Sequence, residues 1–73
     1  MTIVVGRTKP EAQALARKLG VPIKWAFGSF NPLSIVGIRA DEILIDKSAE
    51  ISDKMMATIE YSARKSKGVV RYV

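Results

Sequence analysis

Two unbroken apolar runs constrain this chain more than anything else in it. Thr2-Ile3-Val4-Val5 and Glu42-Ile43-Leu44-Ile45 are β-rich and do not alternate with polar residues. A strand with one wet face alternates, whereas one covered on both faces reads as a continuous apolar run. Such strands need helices above and below the sheet, and the segments that follow each run supply helical patterns. After Gly6, Thr8-Lys9-Pro10-Glu11 reads as a helix start: Thr8 caps, Glu11 completes a capping box, and Pro10 sits in the first turn, where its missing N–H costs nothing. Ala12, Leu15, Ala16 and Leu19 make one apolar stripe, with Glu11, Gln13, Arg17 and Lys18 on the wet face; Gly20 and then Pro22 end the helix. After Asp46, Ser52 or Asp53 opens a second helix, with Met55, Met56, Ile59 and Ala63 on its apolar face and Gly68 as its stop.

The remaining segments complete the frame. Pro22–Phe27 reads as a strand in which Ile23, Trp25 and Phe27 alternate with Lys24 and Ala26, and the outward Lys24 places it at a sheet edge. Gly28–Ser34 reads as a loop, Ile35–Ile38 as a short extra strand weakened by Gly37, and Val69–Val73 as a closing strand. The order β-α-β-(β)-β-α-β predicts a single α/β domain over 1–73, Rossmann-like or P-loop-like. It has a mostly parallel sheet of three to five strands and two helices. Crossovers stepping in opposite directions put the first strand and the Glu42–Asp46 strand at the centre.

A domain of 73 residues buries only about 60% of the surface its unfolded chain exposes, so small folds usually carry a staple. The chain lacks Cys and His altogether, which excludes disulfides and argues against zinc. Self-association or a partner is left, with a homo-oligomer the favoured form. No apolar run approaches membrane-spanning length and the first residues do not read as a secretory signal, so a cytoplasmic protein without membrane contact is expected.

Twelve Lys and Arg against seven Asp and Glu give a net charge of +5. That balance favours acidic partners, and it also serves plain solubility. Arg64, Lys65, Lys67 and Arg71 follow Glu60 with no acid among them and form the candidate nucleic-acid surface, with Arg17 and Lys18 as additions. The same residues are ordinary decoration of a helix C-terminus. Trp25 and Phe27 are expected in the core, and Phe30 is the candidate partner contact.

In an open parallel sheet, ligands bind beyond the carboxyl ends of the strands. That edge collects Gly6, Arg7 and Thr8, then Gly28 and Ser29, then Asp46, Lys47 and Ser48. Free amides at a helix N-terminus beside Arg7 would suit a phosphate. The competing reading makes Gly6 a turn, Thr8 a cap, Asp46 a turn residue, and Arg7 and Lys47 solvated charges. No Walker A or Gly-x-Gly-x-x-Gly loop occurs, no nucleophile–His arrangement can exist, and Arg39 and Asp41 read as structural, paired with each other or with the main chain. These features predict a protein without catalytic activity, cofactor or metal.

Two segments resemble parts of the RecA-like ATPase core of helicases and phage terminase large subunits. Ile3–Ala12, with the helix through Leu19, is similar to a strand and helix that carry a nucleic-acid-contacting motif there. Gly37-Ile38-Arg39-Ala40-Asp41-Glu42-Ile43-Leu44-Ile45-Asp46 resembles the approach to Walker B, and Asp46 matches the magnesium-binding Asp. The catalytic Glu of the family falls at Lys47. The resemblance implies a stripped frame that does not hydrolyse nucleotide. Together with the small size, the basic charge and the lack of catalytic groups, it leads to the expectation of a small phage-encoded accessory protein that binds a host or phage macromolecule, above all a protein, in the host cytoplasm. Direct nucleic-acid binding, and nucleotide binding without hydrolysis, are the alternatives.

Overall fold

The computed structural model describes residues 1–29 and 39–73. The order is β1 (Thr2–Gly6), α1 (Lys9–Leu19), a 3-10 turn (Ile23–Trp25), β2 (Ala26–Gly28), β3 (Glu42–Ile45), α2 (Asp53–Lys65) and β4 (Val69–Tyr72). The four strands form one sheet in the order β2-β1-β3-β4, and every pairing is parallel. Val4 lies level with Ala26 on one side and Leu44 on the other. The two apolar runs are thus the central strands, as their lack of alternation predicts.

Each central strand feeds two cores. Val4 and Leu44 point to one face and pack with Ala12, Ala16 and Ala26 beneath α1. Ile3, Val5, Ile43 and Ile45 point to the other and pack with Met55, Ile59 and Ala63 of α2. The helices therefore sit on opposite faces, as right-handed crossovers running in opposite directions require.

The α1 side is thin because helix and strand approach closely. A Cβ placed on Gly6 would lie 2.6 Å from the Ala12 amide nitrogen. Only small side chains fit in that gap, hence the three alanines. Leu19 leaves the expected stripe and is 42% exposed; it is the last residue of α1.

Both helices begin and end by identifiable chemistry. Thr8 Oγ1 accepts from the Glu11 amide at 3.4 Å, and Ser52 Oγ from the Met55 amide at 3.1 Å. Each helix closes with a Schellman pair of bonds. In α1 the Val21 amide donates to the Ala16 carbonyl and Gly20 to Arg17, with Gly20 at φ 77°. In α2 the Gly68 amide donates to Ala63 and Lys67 to Arg64. Here the left-handed residue is Lys67, at φ 55°, and not the expected stop Gly68. Gly68 is required for space: a Cβ there would strike the carbonyl oxygens of Ala40 and Asp41.

The second strand differs most from expectation. The Trp25 amide donates to the Pro22 carbonyl at 3.0 Å, so Ile23, Lys24 and Trp25 form a 3-10 turn and β2 keeps three residues. Proline fixes the geometry that starts such a turn. The expected alternation is inverted as a result. Ala26 is buried beneath α1 while Ile23 is 42% exposed, and Trp25 and Phe27 are half-buried rather than core. The edge position of β2 holds, but Lys24 is not in the strand and is not its cause. Gly28 ends β2 instead of opening a loop. The extra strand at 35–38 and Phe30 lie outside the described residues.

Candidate functional site

The carboxyl edge of the sheet is where a parallel fold would hold a ligand. The structure brings the expected residues there, since Gly6 ends β1, Gly28 and Ser29 close β2, and Asp46 follows β3. The Asp46 amide donates to the Val5 carbonyl at 2.9 Å, which seats the β3 turn against β1.

The polar groups of this edge are engaged with one another. Asp46 Oδ1 accepts from both the amide and the hydroxyl of Ser48 at 2.9 Å. This is an Asx turn, in which the carboxylate organises its own backbone. The Lys47 amide donates to the Val73 carbonyl, tying the turn to the end of β4, and the Lys47 side chain is in solvent. Buried Ser29 donates its hydroxyl to the Arg7 carbonyl at 3.2 Å, joining the ends of β1 and β2.

The N-terminus of α1 is a poor seat for an anion. Its Glu11 amide is taken by Thr8, the Ala12 amide donates to the Thr8 carbonyl, and Pro10 has no donor. The Glu11 carboxylate leaves its place in the capping box and meets the Arg7 guanidinium at 3.4 Å. The positive end of the helix and its nearest cation are thus met by the chain's own acid. Gly6 gives room for the close approach of Ala12. A hollow of about 320 Å³ at this edge is lined by Ser29, Glu50, Ile51 and Ser52, which again brings an acid. Among the described residues no three acids gather as a metal site would need, and no helix is long and apolar enough to cross a membrane.

The basic cluster splits in two. Arg64, Lys65 and Lys67 stand at the C-terminal end of α2. Arg71 is level with Leu44, whose face is the α1 side, so it points away from α2. It also holds Glu42 at 3.0 Å. Arg71 therefore leaves the expected nucleic-acid surface, because strand alternation decides its face whatever its proximity in sequence. Arg64 reaches Glu60 at 4.0 Å, and Lys65 lies over the Tyr61 ring, 5.2 Å from its centroid. Arg17 and Lys18 are exposed in the last turn of α1, a helix on the opposite face from α2. Asp41 pairs with the Met1 ammonium, a main-chain group, which is one of the two partners expected for it.

Exposed Tyr61, Val69 and Tyr72 were not among the expected contact residues; they are 58%, 53% and 55% exposed. Tyr61 could have been found from its place opposite Met55, Ile59 and Ala63 on the helix. The exposure of β4 follows from its edge position, which composition does not reveal. Comparison with protein-family models, with curated proteins and with solved structures finds no match for this chain.

Proposed function

We propose that this chain is a non-catalytic interaction protein that acts by binding an acidic macromolecule at the C-terminal end of α2. The observation that carries the reading is the unmatched charge there. Among the described residues neither Lys65 nor Lys67 has an acidic partner, and Arg64 holds its own only at 4.0 Å. At the carboxyl edge, by contrast, Glu11, Asp46 and Glu50 oppose an anion, which weakens the case for a nucleotide. The likeness to terminase subunits supports a phage-encoded protein whose partner is a host or phage protein in the host cytoplasm.

One observation favours nucleic acid as the partner instead. Tyr61 is 58% exposed beside Lys65, and an aromatic ring among cations can stack a base. Fluorescence anisotropy of labelled single- and double-stranded DNA separates the two readings. Three phosphate contacts would weaken binding roughly fortyfold over a fourfold rise in salt. Binding with that dependence, lost in an Arg64→Ala/Lys65→Ala/Lys67→Ala variant, establishes nucleic acid. No binding at low salt removes it and leaves a protein partner, sought by pull-down with the parent and the triple variant. Equal capture by both would sink the α2 surface. ATP turnover abolished by Asp46→Ala would refute the non-catalytic reading.

A further inference from the structure

Among the described residues the outer edge of β4 is unpaired, β4 being the last strand in the order β2-β1-β3-β4. Natural edge strands are usually protected by proline, bulges, brevity or inward charge. Val69-Val70-Arg71-Tyr72 is short, at four residues, but has no proline or glycine, and its one charge already holds Glu42 at 3.0 Å.

The direction of the free backbone groups can be worked out. The Val69 amide donates to Asp41 and the Val73 amide to Ile45, while the Val73 carbonyl accepts from Lys47. Odd positions of β4 thus face β3, and strand geometry turns the N–H and C=O groups of Val70 and Tyr72 outward. These two residues flank Arg71 symmetrically.

The side chains share that symmetry. Val69-Val70-Arg71-Tyr72-Val73 reads apolar, apolar, Arg, apolar, apolar in either direction. An isologous contact demands a segment that complements itself. We propose that β4 pairs antiparallel with β4 of a second copy of this chain, about a two-fold axis at Arg71, to give one continuous sheet. In this register Val70 and Tyr72 of each copy exchange both backbone hydrogen bonds, so every outward group of the pair is satisfied. On the α2 face exposed Tyr72 covers Val70 of the second copy, and on the other face exposed Val69 meets Val73. The two Arg71 side chains come together as ion pairs with their own Glu42, which offsets the repulsion between like charges on adjoining strands. The inference goes beyond the proposed function and is independent of it, since Arg64, Lys65 and Lys67 lie outside β4.

Sedimentation velocity over a wide concentration range tests it, with two substitutions on exposed residues. The expected result is a reversible species of twice 8.0 kDa. Tyr72→Lys removes two cross-strand contacts per dimer and should weaken association roughly tenfold. Arg71→Cys fixes the register. The chain has no other cysteine, and facing residues at this kind of position have Cα atoms about 4.5 Å apart, within disulfide reach. Mild oxidation should therefore crosslink Arg71→Cys and leave Val69→Cys, which faces Val73, uncrosslinked. A monomer at all concentrations overturns the proposal. So does a dimer that Tyr72→Lys leaves unchanged, or one in which Arg71→Cys does not crosslink.

Discussion

Replacing Gly6 by Ala separates two reasons a glycine can end the first strand. A Cβ built there lies 2.6 Å from the Ala12 nitrogen, 2.8 Å from its Cα and 3.0 Å from its Cβ. The first two are helix backbone and cannot rotate away. Ordinary contact begins at 3.4 Å, so α1 must lift by roughly 0.8 Å, an overpacking strain that costs about 1–3 kcal/mol. Lifting also opens the contacts of Ala12 and Ala16 with Val4, Ala26 and Leu44. The stiffer unfolded chain returns about 0.4–1 kcal/mol. A net loss of about 1.3 kcal/mol is expected, which lowers the melting temperature by roughly 5–10 °C in a domain of this size. Urea titration followed by far-UV circular dichroism and Trp25 fluorescence reads it as a lower midpoint at unchanged slope. Removing the Ala12 methyl as well should not rescue the variant, because the nearest obstacle is backbone. A Gly6→Ala protein as stable as its parent would refute this account and return Gly6 to the role of ligand contact.

Three further expectations use the same assay. Lys67→Gly relieves a left-handed residue and should gain about 0.5–1 kcal/mol; a loss would mean that the Lys67 side chain stabilises the fold. Ser52→Ala removes the α2 cap and should cost about 1 kcal/mol, whereas no change would show water satisfying the Met55 amide equally well. Asp46→Ala should cost about 1 kcal/mol through its turn, and addition of magnesium should stabilise neither protein; a thermal shift confined to the parent would make Asp46 a metal ligand.

The central strands, both helices and the strand order were legible because each rests on local pattern. Ile3-Val4-Val5 lacks alternation, Thr8 and Ser52 sit three residues before the amides they cap, and Ala12 and Ala16 repeat at helical spacing. The second strand misled for a physical reason. Ile23, Trp25 and Phe27 have strand-like spacing, but Pro22 closes a turn that propensity does not register, and close approach of α1 selects Ala26 as the buried residue. At the carboxyl edge the sequence named the right residues without their partners. That Glu11 turns to Arg7, and that Asp46 spends its oxygen on Ser48, depends on side-chain geometry. Arg71 was grouped with Arg64 by proximity along the chain, and the two stand on opposite faces of the sheet.

The place of β1 has a consequence for how the protein is made. It is made before its partner β3, and it lies in the middle of the sheet with neighbours on both sides. Its partner β3 is synthesised later, and Ile3 meets Ile43 only after α1 and β2 have been made. Non-local parallel pairing forms slowly because loop closure precedes its reward. The nascent chain therefore carries this apolar segment without its β3 neighbour until β3 has been made. A product cut short before β3 would leave Ile3 and Val5 without Ile43 and Ile45 to pack against, and apolar surface left open in this way favours aggregation.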